Sequence, residues 1–493
     1  MAPQFKRPEL FGFDKSHAQS FVQGKWISSP NNKTFEVDNP ATGEIIGKVA
    51  DVSVEETKKA ISAANEAFKT YKNFTHVQRS QLLERWAELI MENKDDLVKM
   101  LTLENGKPLS QAEMEVTTCS GYLKWYAAEA VRTFGDVAPS SLQSQNFLIS
   151  IKQPVGVSAL ITPWNFPAAM IARKGGAALA AGCTAIFLPA FRTPYVCLGL
   201  VRLAQEAGFP DGVLNVITSS DASAHGKELT TNPIVRKVSF TGSTNVGKIL
   251  MGQSASTIKK VSMELGGNAP FIVFPDFPID QAVESFCTIK FNSCGQVCVC
   301  PNRVYVHKNV YDEFVSKLTE KVKTIKVGDG FDSSSAVGPL ISQDGCKKVS
   351  KHIEDAVSKG AKITVGGKEI SSSKGYFFEP TVLSGVTQDM LVASEETFGP
   401  LASVFKFDDT EEVIEWANDS DVGLAGYVFT NNLSTMIHVA KELEVGLVGA
   451  NIEMVDEPFI SFGGIKQSGF GKEAGRLGVQ EFMVVKEINL KTL

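Results

Sequence analysis

The first place where this chain could do covalent chemistry is Cys298, two residues beyond the Gly295-Gln296 pair in Phe291-Asn-Ser-Cys-Gly-Gln-Val-Cys298. A Gly-Gln turn can leave a thiol exposed at a loop–helix junction, where backbone N–H groups and the helix dipole favour thiolate. A buried structural cysteine is the commoner use of the residue, so partners are needed. Ser262-Met-Glu-Leu-Gly-Gly267 sets Glu264 beside a flexible turn at a strand end. There it can act as general base to a thiol and then to water. Pro163-Trp-Asn-Phe-Pro167 follows another strand. Its two prolines fix the loop, and the amide of Asn165 can donate to a developing oxyanion. On the residues alone, a solvated loop carboxylate and a turn-capping asparagine remain open alternatives.

The elements that must position these groups follow from periodicity. Residues 53–133 carry apolar positions at helical spacing, with Asp51 or Ser53 as first N-cap. After residue 150 strands and helices alternate: VGVSALIT (155–162), the helix MIARKGGAALAAG, TAIFL (184–188), VLNVIT (213–218) and VRKVSF (235–240). That alternation predicts a parallel, doubly wound sheet, which binds ligands at the carboxyl ends of its strands. A second α/β unit runs from APFIVF through a helix to Phe286, then RVYVH and a helix from Tyr311 to about Lys323. FLISIKQP and FMVVKEINL fit neither unit. As peripheral strands they pair either within the chain or across subunits.

Bulk properties set limits. A chain of 493 residues calls for two or three domains. A net charge of -6 gives no basic footprint for nucleic acid or an anionic membrane. No run approaches the ~18 consecutive apolar residues of a transmembrane helix. The N-terminal stretch lacks a signal or transit pattern, and the final Lys-Thr-Leu only loosely matches a peroxisomal address, so a cytoplasmic location is expected. Eight irregularly spaced cysteines make no disulfide framework, and the six isolated histidines give no metal-ligand spacing, so no metal site is expected.

Taken together, the segments resemble the aldehyde dehydrogenase superfamily. PWNFP (163–167), FTGSTNVG (240–247), ELGG (264–267), GQVC (295–298), EETFGP (395–400) and FGGIKQSGFG (462–471) occur in the family's order over nearly the whole chain. The resemblance implies an α/β fold with a Rossmann-like cofactor domain (1–130 and 155–262), an α/β catalytic domain (263–450) and small oligomerisation strands (131–154 and 470–493). It implies a homodimer or homotetramer and NAD or NADP as cofactor. Cys298 would add to the aldehyde, Asn165 and the cysteine's own N–H would hold the oxyanion, and Glu264 would activate water to release the acid from a thioester. The dinucleotide would lie on Ile161, Pro163, Trp164, Gly242, Ser243, Glu396 and Phe398. The substrate would meet Phe166, Met170, Arg173, Val297 and Phe462. Cys298-Val-Cys300 and FPAAMIARK look closest to succinate-semialdehyde dehydrogenases, in which the second cysteine can form a redox-switch disulfide and Arg173 matches a carboxylate-binding arginine.

The chain departs from that pattern at two places. Asn292 stands where a second arginine is expected, Met454-Val-Asp-Glu-Pro458 replaces a serine-bearing loop, and Ser461 replaces a usual proline. Asp456 and Glu457 would repel a substrate carboxylate, so the expected substrate is an aldehyde other than succinic semialdehyde. After the strand at 184–188, Leu188 and Phe191 replace the polar residues that hold the adenosine ribose. Dinucleotide binding is therefore expected to be weakened unless Arg192 or main chain compensates. The alternative is a non-redox enzyme on the same fold, using Cys298 to add reversibly to an aldehyde or conjugated carbonyl. A scaffold that merely keeps the fold would have no use for the full cysteine, glutamate and asparagine set.

Overall fold

Glu56 turns its carboxylate back onto the N–H of Ser53 at 3.2 Å, and this cap starts helix Val54–Tyr71. The computed structural model describes residues 6–14, 17–143, 145–370 and 374–491. The helical stretch divides into Val54–Tyr71, His76–Glu92, Lys94–Asn105 and Leu109–Ala130. Gly106 ends the third at φ 85, a left-handed turn that glycine adopts freely. The buried stripe of Leu109–Ala130, including Tyr122, Leu123 and Tyr126, packs on helix Pro167–Ala181, which is buried along its whole length. Helix Pro167–Ala181 is buried all round, Arg173 and Lys174 included, because it lies between the sheet and the other helices.

The first sheet has eight strands. Its parallel centre runs Lys260–Glu264, Val235–Thr241, Val157–Thr162, Thr184–Pro189 and Leu214–Val216, with short antiparallel strands added at both ends. The chain leaves Val157–Thr162 toward one edge and returns to build the other. The order therefore reverses between Val157–Thr162 and Val235–Thr241, which is where doubly wound sheets open a ligand crevice. Leu188 lies within Thr184–Pro189, paired with Ile161 and only 1% exposed, rather than on the loop beyond the strand.

The second sheet has seven strands, mostly parallel, centred on Ala269–Val273, Pro301–His307 and Leu401–Phe407. A third sheet of three strands joins Asp136–Pro139, Asn146–Pro154 and Met483–Lys491. The two peripheral stretches thus pair with each other inside one chain, antiparallel from Met483 opposite Pro154 to Lys491 opposite Asn146. The last two residues of the Lys-Thr-Leu end lie outside the described residues. Among the described residues no helix is long and apolar enough to cross a membrane.

Candidate active site

Cys298 lies in the turn between a short 3-10 helix (Asn292–Gly295) and strand Pro301–His307. The expected loop–helix junction is corrected here. Pro301 opens a strand, so Cys298 does not stand at the N-terminus of a following helix. The thiol is half-buried. Burial, and then the charge of Glu264, push its ionisation well up, and Arg173 only partly opposes them. Both effects favour the neutral thiol.

Gln296 holds this loop. Its side chain accepts from Ile341 N at 2.9 Å and donates to Ser293 O at 3.0 Å, while its backbone carbonyl accepts from Asn165 Nδ2 at 2.9 Å. Asn165 therefore keeps one amide hydrogen for a ligand, beside the cysteine loop. Asn165 is itself anchored: its carbonyl accepts from Lys107 Nζ at 2.8 Å, and Lys107 pairs with Glu115 in a wholly buried bridge of 2.5 Å. Glu115 also accepts from the N–H groups of Ala168 and Ala169, at the first turn of helix Pro167–Ala181. Sequence reasoning saw Gln296 only as part of a turn and missed Lys107 and Glu115, because buried polar tethers leave no periodic or motif signal of their own.

Glu264 ends strand Lys260–Glu264 and is 3% exposed, with neither carboxylate oxygen hydrogen-bonded among the described residues. Burial, followed by repulsion from Glu473, raises it to about 8, against the opposing cations Arg173, Lys174 and Lys472. Glu473 is buried too, but Lys174 and Arg173 outweigh its burial and hold it below the ordinary range. The Gly266-Gly267 turn then touches both neighbours. A Cβ on Gly267 would lie 2.7 Å from the Cys298 carbonyl oxygen, and the Gly267 N–H donates to Glu396 Oε1 at 3.2 Å. Burial raises Glu396 to about 7.

Around this centre, Phe398 adopts φ 57 and meets the Trp164 ring edge-on at 5.6 Å. Gly242 N donates to Glu264 O at 3.0 Å, and Ser243 caps helix Thr244–Ser254. Ile161 and Met170 are buried, and Val297 packs against the second core. The Phe166 ring lies under Lys107 Nζ at 4.1 Å. Pro163 sits between Thr162, the last residue of its strand, and Trp164.

Arg173 is no helix-surface charge. It is 2% exposed, stacked on Phe462 at 4.4 Å, and ion-paired with Asp456. Phe462 is 1% exposed, so it shapes the wall through Arg173. Asn292 is half-buried at the start of the 3-10 helix. All eight cysteines are free, and Cys300 is buried with its sulfur directed at Lys290 O, 3.7 Å away.

The residues fit the two ends of a dinucleotide unequally. Glu396, with a carboxylate oxygen on the Gly267 N–H, and the helix N-terminus after Ser243 suit a ribose and a pyrophosphate. At the other end Leu188 is buried in the apolar core, and Phe191 is 41% exposed with Arg192 stacked on it at 5.2 Å.

A doubly wound sheet, with a loop-tethered cysteine and a buried carboxylate near its strand ends, defines an α/β protein with one candidate reaction centre. The family model for the aldehyde dehydrogenase family matches residues 26–488, and this chain belongs to that family of oxidoreductases. A Schizosaccharomyces pombe protein named succinate-semialdehyde dehydrogenase (NADP(+)) 1 is 51% identical over 493 residues, covering 100% of this chain and 99% of that one. A Pseudomonas putida glutarate-semialdehyde dehydrogenase is 49% identical, covering 98% of each. Among solved structures, an Escherichia coli NADP-dependent enzyme superposes with TM-score 0.96 at 45% identity, over 99% of this chain and 100% of that one. A Staphylococcus aureus betaine aldehyde dehydrogenase in complex with NAD+ gives 0.93 at 33% identity, covering 96% and 95%.

Proposed function

We propose that this protein oxidises an aldehyde to a carboxylic acid through a covalent adduct on Cys298, with NAD or NADP as hydride acceptor. The observation that carries the reading is the half-buried Cys298 thiol in the field of a buried, unpartnered Glu264, with Asn165 tied to the same loop. Glu264 takes the thiol proton as sulfur attacks the carbonyl carbon. The free amide hydrogen of Asn165 stabilises the oxyanion of the adduct. A bound nicotinamide dinucleotide supplies the acceptor that turns this adduct into a thioester. After passing the first proton to solvent, Glu264 draws a proton from water; attack of that water on the thioester releases the acid, and Glu264 returns the proton to the departing thiolate.

The charge around Arg173 supports a neutral or cationic aldehyde over a dicarboxylate semialdehyde. Arg192 has no carboxylate partner among the described residues and lies just past a sheet strand, where it suits the extra phosphate of NADP. Seven buried and one half-buried free thiol accord with a reducing compartment, and the cytosol is the location proposed. The exposed three-stranded sheet supports assembly as a homodimer or homotetramer.

The test is Cys298→Ala beside Cys300→Ala. The first is expected to lose turnover and the covalent adduct seen by intact-protein mass spectrometry. The second keeps substantial activity under reducing conditions. Reversed outcomes would move the nucleophile to Cys300.

A further inference from the structure

We infer that Asp456 is a specificity-determining residue, whose carboxylate occupies the guanidinium of Arg173 from within the chain and so excludes aldehydes that carry a carboxylate of their own. The inference rests on the aldehyde-oxidising reading above and deepens it.

Arg173 belongs to the reaction chamber by position. It follows the Asn165 loop on helix Pro167–Ala181, and its guanidinium stacks on Phe462, the residue before Gly463. A Cβ on Gly463 would lie 2.9 Å from Glu264 Oε1. A buried guanidinium in such a place is a strong carboxylate receptor, because its planar donor fork matches two carboxylate oxygens.

Here Nη2 is already taken, while Nη1 lies 4.0 Å from Glu473 Oε2 and Nε has no hydrogen-bond partner among the described residues. Arg173 Nη2 donates to Asp456 Oδ2 and, at 3.0 Å, to the hydroxyl of Tyr122. The same hydroxyl donates to Asp456 Oδ1 at 2.6 Å, so both carboxylate oxygens are engaged and the three side chains close a ring. The residues come from distant parts of the chain: Tyr122 and Arg173 lie on two packed helices, Asp456 on the loop before Phe462.

Exposure decides what an incoming molecule meets. The Arg173 side chain is 3% exposed and that of Asp456 is 34%. From solvent, the anion stands in front of the cation, and Glu457 beside it is exposed as well. Among the described residues Arg173 is the one cation paired with Asp456. An aldehyde with a carboxylate tail must therefore displace Asp456 or face it unpaired. One with a neutral or cationic tail meets no such opposition.

The test compares succinic semialdehyde with its methyl ester, matched in length and differing in charge, on the full-length enzyme. The wild type is expected to prefer the ester at least tenfold in kcat/KM. In Asp456→Asn and Asp456→Ser the acid-to-ester ratio rises at least tenfold, chiefly through a lower KM for the acid. The double variant Arg173→Met/Asp456→Leu, which leaves no unpaired charge, gains no such preference. Because releasing Arg173 can destabilise the fold, succinate binding is measured separately by thermal shift. It raises the melting temperature of Asp456→Ser and not that of the wild type. A wild type that prefers the ester together with an unchanged ratio in both single variants overturns the role of Asp456 and leaves the substrate reading intact. A wild type that prefers the acid overturns the substrate reading itself, and succinate stabilising wild type and Asp456→Ser alike removes the exclusion.

Discussion

At the scale of single residues, the proposed chemistry rests on two groups that burial has made reluctant to ionise. Cys298 is pushed up by desolvation and by Glu264, while Glu264 is raised to about 8 by desolvation and by Glu473. The base is needed charged, so the active fraction grows as pH rises. Activity is expected to climb through about pH 8, and the rate of thioester hydrolysis in Glu264→Gln should lose that limb along with most of its magnitude. The sign for stability is opposite. A carboxyl whose folded pKa exceeds its unfolded value binds protons more tightly when folded, so it costs stability as pH rises from ~4.5 toward ~8. Glu264→Gln should thus melt above wild type at pH 8, with the gap closing by pH 5. Rate profiles with melting curves check this, and a limb retained in the glutamine variant would assign the ionisation elsewhere. Cys298, Glu264 and Asn165 were legible because each sits in a short segment with its turn residues. The Arg173–Asp456 bond was not, since its partners are 283 positions apart and only the fold brings them together.

Elements were legible to the extent that their hydrophobic period was unbroken. The alternating strands and helices from 155 to 240 and the helix Tyr311–Lys323 lie where periodicity sets them. The stretch 53–133 read as helical without its internal breaks, because the Gly106 turn and the Thr75 cap are local events inside a continuous apolar pattern. The junction after Cys298 was misread although the strand RVYVH was read: only Val299 and Cys300 separate the cysteine from Pro301, which opens that strand two residues earlier, and a proline is a weak strand signal. Element ends also govern the cofactor. The strand extends through Pro189, which buries Leu188, so the groove beyond it presents Phe191 and Arg192. Ribose hydroxyls there gain no partner from Leu188 or Phe191, whereas Arg192 can meet a 2′-phosphate. A charge-assisted hydrogen bond is worth ~1.5–3 kcal/mol, about ten- to a hundredfold in affinity. NADP should therefore bind more tightly than NAD, Arg192→Ala should remove that difference, and NAD itself should bind weakly. Calorimetric titration decides it. Low-micromolar binding of NAD to the wild type would sink the weakened-ribose argument, and NADP binding unaltered by Arg192→Ala would sink the role of Arg192.

At the scale of the whole molecule, the three-stranded sheet is the part that the single chain leaves unfinished. Residues directly opposite in a ladder share a face. Ile488 faces Ile149, which faces Val137, and Leu490 faces Phe147, which faces Pro139. One face thus carries an apolar band across all three strands, yet Val137 is 68% exposed, Ile488 40% and Leu490 47%. Three strands bury too little to hold such a face in water, and an exposed apolar face of this kind marks an interaction surface. The counterpart we propose for it is a second copy of the chain, as the family resemblance implies. Deleting Met483–Lys491 would remove one strand of the band, but it would also strip the partner of Asn146–Pro154 and leave a raw edge. The cleaner change is Ile488→Lys, alone and with Val137→Lys, which keeps every ladder hydrogen bond and places charge in the band. Light scattering should then give a smaller particle than wild type with circular dichroism unchanged, and the double variant should fall further toward the mass of one chain. An unaltered mass in the double variant would mean that this face does not join subunits.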